Sequence, residues 1–254
     1  EPTRQYSLTH PTSQLEEVAV SARFSTARSH AFQMGMTRGV DLFAQGRLRT
    51  QMSLPDSLQR VAGVDGSFSE VIGRVRAAIP LWSTGRVTHV LALRSSGGIA
   101  SGPETGPDHF DVGGASGRPE TLTGAELFGG RFLLFPVRGY RASTRFGRYA
   151  WALSAEYRFP LALINRGVGA WPLHVDQVIG SFFVDAGNAW GPDVSPSGFP
   201  NARRIRPMLT SVGAEVTTEV LGLYNVELRL RTGVAVPLGE GRGARVYLRI
   251  GLPF

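Results

Sequence analysis

The chain has no cysteine, and it has no lysine either: all 27 basic residues among its 254 are arginine. The first absence removes disulfide scaffolds, thiolate zinc sites, iron–sulfur clusters and cysteine nucleophiles. The second means that the formal net charge of +7 rests on guanidinium groups alone. They are spread along the whole chain rather than gathered into the basic face that phosphate binding uses, so nucleic acid is not expected as a partner. No run approaches the roughly 18 apolar residues of a spanning helix, which excludes a helical membrane protein but leaves a β-barrel open. Heptads and helical periodicity of useful length are also lacking. The opening Glu1-Pro2-Thr3-Arg4 has neither methionine nor an apolar signal core, so a processed or truncated chain is expected.

Catalytic signatures are equally scarce. His10, His30, His89, His109 and His174 show no metal-ligand spacing, and there is no nucleophile elbow, phosphate loop or calcium loop. The Gly-x-Gly-x-Gly run at Gly239, Gly241 and Gly243 lies between two strand patterns and reads as a hairpin turn. His109 beside Asp108 and Asp111 reads as a solvated loop cluster. Neither an enzyme nor a cofactor or metal is expected.

What the sequence has is period two. Trp151, Leu153, Ala155, Tyr157, Phe159 and Leu161 share one parity, and Ala152, Ser154, Glu156 and Arg158 the other. The alternation returns at Tyr224, Val226, Leu228, Leu230, Val234 and Val236 against Asn225, Glu227, Arg229 and Arg231. It returns at Val212, Ala214, Val216, Thr218 and Val220 against Ser211, Gly213, Glu215, Thr217 and Glu219, and again at Val246, Leu248, Ile250, Leu252 and Phe254 against Arg245, Tyr247, Arg249 and Gly251. Such strands have one apolar and one polar face. A soluble sandwich alternates too. These segments, however, run roughly 10 to 14 residues, nearer a tilted membrane-spanning strand than a globular one. Aromatic Trp151, Tyr157 and Trp190 sit near strand ends, as in an interfacial girdle.

About ten strands are predicted: 18–24, 32–36, 40–48, 71–79, 87–93, 149–161, 177–190, 209–220, 224–237 and 244–254. Gly97 to Pro107 and Pro192 to Pro200 read as loops. The long non-alternating stretch of about 97–148 is a candidate functional loop. The chain therefore reads as a single all-β domain over 1–254.

Three features then fall in order. The long stretch holds Phe110-Asp111-Val112-Gly113-Gly114, Phe128-Gly129-Gly130 and Val137-Arg138-Gly139-Tyr140; Glu156 follows on the polar parity of the next strand; Phe182-Phe183-Val184-Asp185-Ala186-Gly187 lies in the strand after that. With the terminal Phe254, this pattern resembles the C-terminal barrel of the BamA and TamA type, the bacterial surface-antigen family of outer-membrane assembly and translocation proteins. The resemblance covers roughly residues 67–254 and is poor before residue 60.

The resemblance implies a transmembrane antiparallel β-barrel, here the C-terminal part of a sixteen-strand wall whose N-terminal strands and periplasmic domains are absent. It implies a loop folded into the lumen whose Arg138-Gly139-Tyr140 tip is locked to the carboxylates of Glu156 and Asp185. It also implies a C-terminal barrel signal in Val246, Leu248, Ile250, Leu252 and Phe254. The function so implied is assistance to the folding, insertion or translocation of outer-membrane proteins through a lateral seam. The alternative is a passive pore, or a membrane anchor for a fused domain. Implied partners are outer-membrane lipid including lipopolysaccharide, unfolded outer-membrane protein clients and periplasmic modules or lipoproteins, in the bacterial outer membrane.

Overall fold

A computed structural model describes residues 14–29, 35–53, 67–84, 87–102, 110–114, 135–167, 173–191, 207–222, 226–239, 241 and 243–251. No helix occurs among them. The strands are β1 (Gln14–Ser25), β2 (Gly39–Ser53), β3 (Ser67–Thr84), β4 (Val87–Ser101), β5 (Phe110–Val112), β6 (Arg145–Gly147), β7 (Tyr149–Gly167), β8 (Leu173–Trp190), β9 (Leu209–Gly222), β10 (Val226–Pro237) and β11 (Arg245–Gly251). Nine of them form one sheet in the order β1-β2-β3-β4-β7-β8-β9-β10-β11, and β5 and β6 pair separately. Every neighbouring pair is antiparallel.

Among the described residues β1 and β11 are the two edges of this sheet and are not paired with each other. Because nine strands alternate in direction, both edges run the same way. The segments joining the strands at one end of the sheet span 26–38, 85–86, 168–172 and 223–225; those at the other end span 54–66, 102–148, 191–208 and 238–244. The sheet is curved. A Cβ on Gly35, in the connection between β1 and β2, would lie 3.9 Å from the Arg158 Nη1 on β7, although β3 and β4 stand between those strands in the sheet.

The two faces are inverted relative to a soluble protein. The outer face carries exposed Val18, Val20, Phe24, Val71, Ile79, Ile99, Leu153, Leu161, Phe182, Val184, Val216 and Leu248. Polar and charged side chains are buried on the concave face, among them Asp41, Ser154, Gln177, Ser181, Asp185, Ser211, Glu215, Thr217 and Arg229. Cross-strand pairing explains how charges tolerate this. Asp41 on β2 accepts from Arg23 Nε on β1 at 2.7 Å and from Arg76 Nη2 on β3 at 2.6 Å. Glu17 pairs with Arg47 and Arg49, and Glu219 with Arg229. Period two puts these side chains on one face, and the register sets them opposite one another.

The apolar core lies between the concave face and the folded-back segment. It consists of Ile72, Ala100, Ala150, Ala152, Ala189 and Leu209 from the wall, with Phe110, Val112, Phe135, Val137 and Tyr140. Isolated bridges Val112↔Phe135 and Gly114↔Val137 tie the segment to itself. Small wall residues make the close approach possible: a Cβ on Gly98 would stand 2.7 Å from Phe110 Cζ and 2.9 Å from Phe135 Cζ.

The structure departs from the sequence reading in several places: β2 and β3 run past their expected ends at 48 and 79, and the short pair β5 and β6 forms inside the expected loop. Gly97 and Gly98 belong to β4, which runs to Ser101, so the loop begins later than expected; their small size leaves space for rings while the backbone still pairs. No strand forms at Gly35 and Met36, where the chain bends, and 30–34 of the expected strand 32–36 lie outside the described residues. The first hairpin instead extends through the Arg28↔Arg38 bridge. Strand β7 continues to Gly167, past the expected end at 161. The expected loop 192–200 lies outside the described residues.

Gly98→Val forces a branched side chain into the Phe110 and Phe135 rings and is expected to lower stability by about 1–3 kcal/mol. Gly73→Val, at a position with nothing within 4 Å of the added Cβ, is expected to be neutral, and thermal unfolding of the two variants checks the contrast.

Candidate functional site

The segment 135–140 is buried throughout and delivers Arg138 to the concave face of β7, β8 and β9. Its tip turns at Gly139, which has φ of +87°. A side chain there would be strained in this left-handed conformation and would also press on Ala235 Cβ at 3.2 Å. Tyr140 then leaves the turn towards β9. Its hydroxyl donates to the Thr210 carbonyl at 2.9 Å and accepts from the Thr210 N–H at 3.3 Å.

Arg138 is 2% exposed and Asp185 fully buried. The guanidinium meets Asp185 as a fork: Nε donates to Oδ2 at 2.6 Å and Nη2 to Oδ1 at 2.7 Å. The Arg138 backbone N–H donates to Oδ2 at 3.1 Å, and Ser154 Oγ donates to Oδ1 at 2.7 Å. Four donors thus saturate one carboxylate, which is the condition for burying it. The remaining nitrogen, Nη1, reaches Glu156 Oε1 at 2.9 Å and lies 3.8 Å from Glu215 Oε2. Beneath the guanidinium lies the Phe183 ring, 3.5 Å from Arg138 Cζ to the centroid. Its quadrupole adds attraction where water is excluded.

Burial by itself would make the Arg138 guanidinium less basic. The charge of Glu156, the hydrogen bonds and charge of Asp185 and the charge of Glu215 outweigh it and hold the group above the ordinary arginine value. Glu156 has a second cation, Arg158, whose Nη2 donates to Oε2 at 2.7 Å.

Local sequence explains these placements. Ser154↔Asp185 and Glu156↔Phe183 are cross-strand partners on β7 and β8. Period two therefore aligns Ser154 and Glu156 on one strand and Phe183 and Asp185 on the next, all facing inward. The structure brings together Arg138, Glu156 and Asp185, and sets Gly139 and Tyr140 as the turn and its anchor. Of the closing-strand residues, Val246 and Leu248 are outward and exposed, at 79% and 63%. Ile250 lies on β11, and Leu252 and Phe254 fall outside the described residues.

Sequence reasoning missed Ser154, Phe183 and Glu215. Ser154 stands two residues before Glu156 on the same parity. Phe183 is an aromatic on an otherwise polar parity, an anomaly that could have been read as a platform for a cation. Glu215 sits among equally polar neighbours, and nothing in sequence separates it from Glu219.

Chemically the arrangement is a lock. Each carboxylate is held by a guanidinium, Asp185 by Arg138 and Glu156 by Arg138 and Arg158. Among the described residues no group of histidine and carboxylates is arranged to hold a metal ion. No protein-family model matches this sequence, and no curated protein is found to be similar to it.

Arg138→Ala is expected to cost about 3–5 kcal/mol, because it strands buried Asp185 without its guanidinium and leaves Glu156 to Arg158. Arg138→Lys keeps the charge but not the fork, and is expected to recover only part of that loss. Adding Asp185→Asn to Arg138→Ala is expected to cost less than the two single effects combined. Denaturant unfolding of the single and double variants reads all three.

Proposed function

We propose that this chain forms part of the wall of a bacterial outer-membrane β-barrel that assists the insertion or translocation of outer-membrane proteins, with the Arg138 loop locked inside the lumen. The observation that carries the membrane reading is the inverted burial: long strands with exposed apolar residues on the convex side and buried charges on the concave side. In water that outer face would be a large contiguous apolar patch, which soluble monomers rarely expose. Against lipid it is the favoured arrangement, with the polar residues left to a lumen.

Two aromatic groups on the outer face support a band of membrane thickness. Tyr149 stacks with Trp190 at 5.8 Å near one end. Towards the other, Trp82, His89, Tyr157, Phe159 and Phe182 form a row of neighbouring rings with centroids 4.7 to 5.9 Å apart. From Tyr149 to Phe159 the strand rises roughly 33 Å, which at a tilt of about 40° spans roughly the 25 Å apolar band of such barrels. Strand polarity supports a wall larger than nine strands. Two edges that run in the same direction can be joined in antiparallel fashion only through an odd number of further strands, and the sixteen strands of the family that the chain resembles would supply seven.

The role in insertion rests on the resemblance of the Arg138 lock to that family. A lock can also serve a passive pore or an anchor, and one assay separates the roles. The protein is reconstituted in phospholipid vesicles, an unfolded outer-membrane barrel protein is added, and its protection from external protease is followed. Wild type is expected to accelerate protection, and Arg138→Ala to lose the acceleration while its strand content by circular dichroism persists. Ion conductance without acceleration would favour the pore or anchor. Failure of the chain to enter detergent or vesicles would overturn the membrane reading.

A further inference from the structure

The concave face holds a second charge centre, Glu215 on β9, which is 4% exposed. Five donors or cations converge on it: Thr217 Oγ1 on its own strand donates to Oε1 at 3.3 Å, and four more approach from two directions. From the last strand, Tyr247 Oη donates to Oε2 at 2.8 Å and Arg249 Nη2 donates to the same oxygen at 3.0 Å. From the wall and the loop, Arg231 Nη1 lies 3.7 Å from Oε1 and Arg138 Nη1 lies 3.8 Å from Oε2, both beyond hydrogen-bond length.

Strand β11 is not adjacent to β9. Strand β10 lies between them, and Gly233 is the residue in register with both Glu215 and Tyr247. Its lack of a side chain opens the passage: a Cβ there would stand 2.5 Å from Tyr247 Oη. The tyrosine thus crosses β10 over a glycine to reach the carboxylate. The next pair outlines why the carboxylate is needed. Arg231 and Arg249 are direct cross-strand partners on the same face, an arrangement that like charges make unfavourable. Glu215 stands beside both and offsets it. Strand β11 has little else to hold it. Among the described residues it pairs only with β10, and its outward Val246 and Leu248 are exposed.

We propose that Glu215 is a latch for the last strand, separate from the loop lock. It fastens β11 across β10 through Tyr247 and Arg249, while Asp185 and Ser154 hold Arg138 independently. When β11 leaves, Glu215 still has Arg231 and Arg138 within about one ångström of hydrogen-bond length and is not left as an isolated buried charge. The strand can therefore detach without undocking the loop. The latch itself does not depend on the membrane reading; its use rests on that reading, under which it governs how firmly the edge strand that borders the lateral seam is seated.

Amide hydrogen exchange of the full chain in detergent micelles tests the latch. Tyr247→Phe keeps the ring over Gly233 and removes only the hydroxyl, so the fold is retained; Glu215→Gln removes the charge. Each is expected to speed exchange over 245–251 by about tenfold or more, the factor that a hydrogen bond to a charged group contributes. The amides of 181–187 are expected to stay unchanged. The double variant is expected to be no faster than Glu215→Gln, since both changes break one shared interaction. Arg138→Ala is expected to speed exchange over 135–140 and to leave 245–251 within about twofold of wild type. Unchanged exchange over 245–251 in both latch variants would overturn the proposal. So would an Arg138→Ala effect on 245–251 as large as that of Glu215→Gln, because strand and loop would then release as one unit.

Discussion

A buried guanidinium must be neutralised where it sits, and the way Arg138 is neutralised constrains everything around it. Asp185 has no contact with solvent and receives both forks of the side chain, the backbone N–H of the same residue and the Ser154 hydroxyl. Such a pair is stable only if the geometry is close to ideal, because the cost of removing two charges from water is large. Two adjacent strands in fixed register satisfy that demand far better than a mobile loop could. The loop, in turn, is placed by its charge at one end and by Phe110, Val112, Phe135 and Val137 on the alanines and glycines of the wall at the other. Electrostatics gives the loop its position, and apolar packing supplies the area.

The rest of the concave face obeys the same rule with looser tolerance. Arg23 is 60% exposed and Arg76 31% exposed where they meet buried Asp41. Partly hydrated pairs of this kind contribute little stability each. Their effect is to let charged residues occupy a surface that curves in on itself, with Asp41 between the arginines of the two strands beside it. Arginine suits this role because its planar fork bonds two partners at once and never loses its proton.

Glu215 shows how charge centres on one face can be distinct. It and Asp185 are both nearly inaccessible to solvent, and both stand near Arg138. Yet Asp185 is bound within hydrogen-bond distance by the loop, and Glu215 by the last strand. The difference of about one ångström in the approach of the same guanidinium separates a lock from a neighbour.

The strands and their two faces were legible in the sequence, because side chains that alternate with period two must face opposite ways whatever the partners are. That reasoning predicted nine of the sheet strands and the polar parity of Glu156. It missed the extent of β4, since Gly97 and Gly98 look like loop residues until Phe110 and Phe135 are seen to need the space above them. It could not distinguish Glu215 from Glu219, or find Tyr247 crossing Gly233, because those contacts join strands through a register that no local pattern encodes. Alternation, then, was determined by the sequence alone, as a property of neighbouring residues. Which carboxylate meets which arginine was decided only by the tertiary structure, through curvature and pairing between strands far apart in the chain.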